Sequence, residues 1–477
     1  MKVSASEYIK SHKELLRQLL KKLLEIYPYA SILAVDAQAF DYRVTKTTTM
    51  MSENDLLSNR GFVIKVYDGQ SYGEYSFNEL DAAKLDEIVA TVQTKVTKLK
   101  EGIGALSLSE YKILNDEPCV FSESTEYEIA PETLGDEAII NKLSELKDKA
   151  IAFDEKVLDA QLGMSYQKYS KLFLSRNRDM EQNVLWTNGA LLISVKKGQQ
   201  VKYGFKGFSN LGGVEMFDHM ESAIPEVGKN ALDLLEAEPM VPGEYECICT
   251  PEVTGMIAHE AFGHGVEMDM FVKDRALAHY CVGDYVAAPI LTMHDGASIN
   301  ARHESATYYF DDEGTLATDT VVIKDGILQS GISDAQSAMY LGTVPTGNGR
   351  RESYKRKAYT RMTNTWFEPG KDKLEDMIAS IKYGFLLQDA SSGMEDPKNW
   401  GIQMMVNIAR EIKDGKFTGK IFSPVVLTGY VPDLLKSITM MSDEASLCGT
   451  GFCGKGYKEW VKVSDGGPYI KAKIRLG

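Results

Sequence analysis

The residues best suited to chemistry lie in the stretch TPEVTGMIAHEAFGHGVEMD, from Thr250 to Asp269. His259 and Glu260 are adjacent, and His264 follows four residues after the glutamate. Two imidazoles on one helix face can grip a metal ion, and a neighbouring carboxylate can move a proton. In the familiar H-E-x-x-H arrangement the histidines are four apart and share a face. Here they are five apart, which on an ideal α-helix separates them by about 140°. Gly263 and Gly265 flank the second histidine. Glycine lets a helix end, unwind or form a single i→i+5 turn, and that turn restores a shared face. The spacing therefore predicts a metal site if the helix breaks at Gly263, and two unrelated histidines if it does not.

A zinc ion needs a third protein ligand and an open position. Glu267, Asp269, Cys281, His279, His294, His303, Cys448 and Cys453 are all chemically able. The segment CGTGFCGKGY, 448–457, has the most suggestive setting, because its glycines let backbone approach closely. Cys247 and Cys249 alternate with apolar residues and read as buried structural thiols.

These side chains need elements to position them. Thr250, Pro251 and Glu252 form a helix start: a capping hydroxyl, proline at the first helical position and an acid favoured by the helix dipole. The chain opens on an amphipathic helix, with Ile9, Leu15, Leu16, Leu19, Leu20, Leu23 and Leu24 at helical spacing and a capping box at Ser4 and Glu7. Strand-like runs follow, with a hairpin at Asp68-Gly69 and then a helix capped by Asn78. Residues 101–133 look irregular. The order helix, strands, hairpin, helix then recurs, and residues 62–70 and 191–199 share Ile, Val, Gly and Gln in register. This suggests an N-terminal α+β domain, 1–238, of two similar halves at about 1–100 and 134–238. Prolines and a glycine in EAEPMVPGEYEC, 236–247, place a boundary near 239. The C-terminal domain, 239–477, reads as β-rich, with turns at Asp325-Gly326 and Asp414-Gly415. The expected class is α+β, two domains with largely antiparallel sheets and flanking helices.

Composition sets limits on function. A net charge of −15 argues against a general nucleic-acid or anionic-membrane surface. Six cysteines in 477 residues are too few for a disulfide scaffold. No apolar run approaches the roughly 20 residues of a membrane helix. The N-terminal pattern lacks a signal-peptide core, so the expected location is cytoplasmic.

Three blocks in the second half resemble the TldD/PmbA family, on its metal-bearing side. They are HEAFGHGVEMD (259–269), GNGRRESYKRKAYTRMTNTWFEPG (347–370) and GFCGKG (451–456), in the family's order. The resemblance implies a zinc-dependent peptidase with His259, His264 and Cys453 as ligands and Glu260 as general base. It also implies a homodimer, or a heterodimer with a paralogous subunit lacking the metal motif. Tyr457 stands where the family more often shows glutamine. The expected substrates are short or unfolded peptides, and β-rich architecture suggests binding as an added strand. Arg350 and Arg351, in the basic loop 347–357, are candidates to clamp a peptide carboxylate. The competing readings are a non-catalytic peptide-binding or regulatory protein with a structural zinc, and a hydrolase of small amides.

Overall fold

The computed structural model describes residues 1–103, 111–114, 116–456 and 458–477. Tyr457 and part of the 101–133 segment thus lie outside the described residues. Two large sheets organise the α+β fold.

The first sheet runs Tyr72–Phe77, Asn59–Tyr67, Tyr29–Val44, Val157–Leu174, Arg178–Lys197 and Cys119–Ser124. Thr49–Glu53 lies along Tyr29–Val44, and Gln200–Asn210 along Arg178–Lys197. All its pairings are antiparallel except that of Cys119–Ser124, which runs parallel to Arg178–Lys197. That short strand, together with the helical turn Pro131–Leu134, corrects the expectation that residues 101–133 are irregular. The expected hairpin at Asp68-Gly69 joins Asn59–Tyr67 to Tyr72–Phe77.

The first helix, Glu7–Leu24, buries Ile9, Leu16, Leu19, Leu20 and Leu23 in a cluster with Ile32, Ile64 and Leu172 of this sheet. Ser6, rather than Ser4, caps it, because its hydroxyl accepts the N–H of Ile9. Asp81 rather than Asn78 caps the next helical segment, accepting from the N–H of Ala83. In both cases the side chain one turn or less before the first free N–H wins over an earlier candidate.

The second sheet follows the path Ile327–Leu328, Asp319–Lys324, Met293–Gly296, Asn364–Phe367, Ser464–Leu476, Val425–Tyr430, Gly401–Lys413, Tyr383–Asp396 and Gly243–Cys249. Ser464–Leu476 also pairs with Gly243–Cys249, so five strands close into a ring of pairings. Cys247 and Cys249 are fully buried in it, as thiols packed in an apolar core. The turns at Asp325-Gly326 and Asp414-Gly415 have both residues at positive φ, the backbone that two-residue hairpins favour.

Charged pairs and apolar packing join the first sheet to the segments that connect strands of the second. Lys65 and Lys171 of the first bind Glu313 and Asp312, and Leu33, Val35 and Phe173 pack with Phe310 and Tyr354.

Candidate metal centre

The strand Gly243–Cys249 leads directly into the helix Pro251–Ile257. Thr250 has the extended backbone of an N-cap, but its hydroxyl is buried without a partner. The start rests instead on Pro251 and on Glu252, whose carboxylate accepts the N–H of Asp389. After Ile257 the chain keeps winding but changes pitch, with a π turn over Ala258–Gly263 and a 3₁₀ turn over His264–Val266. The N–H of His264 donates to the carbonyl of His259, five residues back. The added residue brings positions 259 and 264 onto one face. Gly263 is tightly enclosed there: a Cβ would lie 2.1 Å from Met362 Sδ.

The two rings meet edge to face, with centroids 5.2 Å apart. Between them stands Cys453, on the hairpin formed by Phe452–Lys455 and Lys458–Lys462. Its Sγ lies 3.2 Å from His259 Nε2 and 3.3 Å from His264 Nε2. One ligand atom from each residue falls within 4.8 Å of the others. Burial works against a charged thiol, yet the two imidazoles draw Cys453 well below the usual thiol range. Burial likewise opposes the imidazolium of His259, but the sulfur outweighs it and raises the ring to about 9. A sulfur that favours its thiolate, with two ring nitrogens at hand, is a donor set suited to zinc. The residues fit the ion.

Glu260, Glu395 and Asp465 share a cleft of about 690 Å³ with this triad. Residues 242–475 match the family model described as the PmbA/TldA metallopeptidase C-terminal domain. The chain belongs to the TldD/PmbA family. A protein named metalloprotease TldD homologue from Haemophilus influenzae is 26% identical over 94% of each chain. One named zinc metalloprotease TldD homologue from Saccharolobus solfataricus is 30% identical over 55% of this chain and 58% of its own. With several other curated relatives, too, the match spans 50% to 60% of the relative. The crystal structure of TldE from Thermococcus kodakarensis shares the fold, with a TM-score of 0.75 over 96% of this chain and 99% of that one, at 19% identity.

Within the TldD/PmbA blocks, the acids after His264 have a supporting place. Glu267 is buried and bonded to Lys455 at 2.8 Å and to Arg361 at 3.3 Å, while its other neighbour is His264 Nδ1 at 3.7 Å. Asp269 binds Lys455 at 2.7 Å. Lys455 therefore ties the cysteine hairpin to the histidine segment. Arg361 is completely buried and also donates to the carbonyl of Glu459 on that hairpin. Sequence reasoning gave Arg361 and Lys455 no role, although both lie in the motif blocks. It also passed over Glu395 and Asp465, which carry no motif signal.

The other candidate ligands are engaged elsewhere. His279 stacks on Phe271, and His294 bonds to Asp319 and Glu368. His303 meets the carbonyl of Ala301, and Cys448 meets the hydroxyl of Thr450. Cys281 packs partly buried against the core of the second sheet. Among the described residues only His259, His264 and Cys453 form such a group.

Arg350 and Arg351 do not line the cleft. They border a separate cavity of about 90 Å³ between the sheets, too small for a peptide. Arg351 forms a two-pronged bond with Glu74 of the first sheet, at 2.7 and 3.0 Å, and Arg350 donates to the carbonyl of Met362 at 2.5 Å. The Arg351 guanidinium thus joins the first sheet and the Arg350 guanidinium is held by the Met362 carbonyl, so neither stands at the metal cleft, where the carboxylate-clamp expectation would need it.

Proposed function

We propose that this chain is a zinc-dependent peptidase that hydrolyses short or unfolded peptides, with His259, His264 and Cys453 holding the ion. The observation that carries this reading is the π turn, which makes an otherwise mismatched histidine pair converge on a cysteine 189 residues away from His264. Bound zinc would supply Lewis acidity and lower the pKa of a water toward about 7.

The protein's own groups supply the rest. Glu260 sits between the two histidines in sequence and faces the same cleft. As general base it takes a proton from the attacking water, and as general acid it returns a proton to the leaving amine. Lys455 and Arg361 neutralise Glu267, so that this carboxylate steadies the side of His264 rather than competing for the ion. The cleft also offers Met256, Met270, Met394, Phe452 and Trp460, an adaptable apolar lining for peptide side chains.

A closed structural-zinc site would need a fourth ligand. Cys448 and Glu267, the obvious candidates, are both bonded elsewhere, which favours the catalytic reading. We propose further that the chain acts in the cytoplasm, as a homodimer or paired with a paralogous subunit. No described helix is long and apolar enough to cross a membrane. The test is Glu260→Ala: it should retain zinc and lose peptide hydrolysis by about 100-fold or more. Hydrolysis surviving in that variant would remove Glu260 from its role.

A further inference from the structure

Glu395 is a carboxylate of the metal cleft whose two oxygens are both buried without a hydrogen bond. It lies near the end of the strand Tyr383–Asp396, two residues after Gly393, so both face the same side. At Gly393 an added Cβ would stand 2.4 Å from Glu260 Cγ. At Gly265, just after the ligand His264, an added Cβ would stand 2.8 Å from Glu395 Oε1. The strand is thus laid against the metal-binding turn, with a gap for the base at one position and a carboxylate two residues further on. Those two positions are about 7 Å apart, or two residues of extended peptide.

Both oxygens of Glu395 are withdrawn from solvent and hydrogen-bonded to nothing in the protein. A buried carboxylate left in that state is costly, and native structures almost always supply a partner. Of the cations around the metal turn, Lys455 is committed to Glu267 and Asp269 and Arg361 to Glu267, while His264, whose charge favours the Glu395 carboxylate, stands against Cys453. A partner arriving with the substrate fits the position.

We propose that Glu395 receives an ammonium group of the bound peptide, either the α-amino group of its first residue or a lysine side chain. The inference rests on the peptidase reading and adds a substrate class to it: peptides with a positive charge one or two residues from the cleaved bond. A free N-terminus meets that condition in every peptide, so the site would act near the start of a chain. The competing use of the carboxylate is a bond to the indole N–H of Trp400, which is also buried without a partner. That bond would leave no preference for amines.

The test compares three peptides of one sequence on the zinc-loaded protein. The first has a free N-terminus, the second is N-acetylated and free of lysine, and the third is N-acetylated with lysine at one of its first three positions. The free peptide, the lysine peptide or both should exceed the neutral one in kcat/KM by about 100-fold, the scale of a buried charge pair. Which of the two does so separates the α-amino group from the side chain. Glu395→Gln should collapse that preference to a few-fold. Equal rates for charged and neutral peptides, or a preference that survives Glu395→Gln, would overturn the proposal. If none of the peptides is cleaved, the peptidase reading fails, and calorimetry on the metal-free protein still decides the inference. The ammonium-bearing peptide must then bind more tightly than its acetylated twin in the wild type and lose that advantage in Glu395→Gln; equal binding overturns it.

Discussion

Replacing Gly263 by alanine probes the local device on which the metal centre depends. The new Cβ would lie 2.1 Å from Met362 Sδ and 3.4 Å from the carbonyl oxygen of Ala258. Non-bonded heavy atoms rest at roughly 3.5–4 Å, so the sulfur or the turn must yield by about 1.5 Å. Met362 is fully buried and has little free room. Overpacking of this kind costs about 1–3 kcal/mol, shared between the methionine and the turn. Any share taken by the turn moves His264 relative to Cys453, and metal-ligand distances tolerate only about 0.2 Å. Since 1.4 kcal/mol is a factor of ten, zinc affinity should fall by about 10- to 100-fold. A competition titration against a chromophoric chelator measures this directly. Adding Met362→Ala removes the obstructing sulfur and should recover part of the affinity, which makes the pair a double-mutant cycle. Wild-type affinity in Gly263→Ala, or a loss that Met362→Ala does not relieve, would refute the reasoning.

His294 lies between Asp319 and Glu368; burial lowers its pKa, but the two carboxylates outweigh burial and raise it. The stability this contributes is complete below about pH 6.5 and is lost as pH rises through the folded value. His294→Gln should therefore be most destabilising near pH 6, with the gap in melting temperature closing on the alkaline side; a gap that widens with pH would contradict this. Arg351→Met breaks the two-pronged bond to Glu74, whose carboxyl burial pushes up but Lys65 and Arg351 hold down at about 2. The expected cost is about 2 kcal/mol or more in urea unfolding, moderated because Lys65 still reaches Glu74. The peptide KM should stay unchanged, and a raised KM with unchanged stability would restore Arg351 as a substrate clamp.

Much of the site was legible because it is local. The five-residue spacing of His259 and His264 with Gly263 between them predicts a break in helical pitch, and the π turn is that break. The hairpins at Asp68-Gly69, Asp325-Gly326 and Asp414-Gly415 were equally readable, since the backbone demands of tight turns narrow the residues allowed there. Position along the chain did not reveal what acts across it. Glu395 lies 131 residues after His264 with no motif around it, and only the closed ring of strands brings it to the cleft. Arg350 and Arg351 read as a basic loop, and only the folded chain brings Glu74 to Arg351 and the Met362 carbonyl to Arg350. The first sheet places helix, strand and hairpin on each side of the central pair Tyr29–Val44 and Val157–Leu174.

The most direct test of the metal centre is zinc per chain by mass spectrometry, on protein purified without metal-affinity resin, for the wild type and Cys453→Ala. The account predicts about one zinc in the wild type, as a single His-His-Cys site requires, and little or none without the cysteine. Zinc retained at the wild-type level in Cys453→Ala, or absent from both proteins, would contradict it.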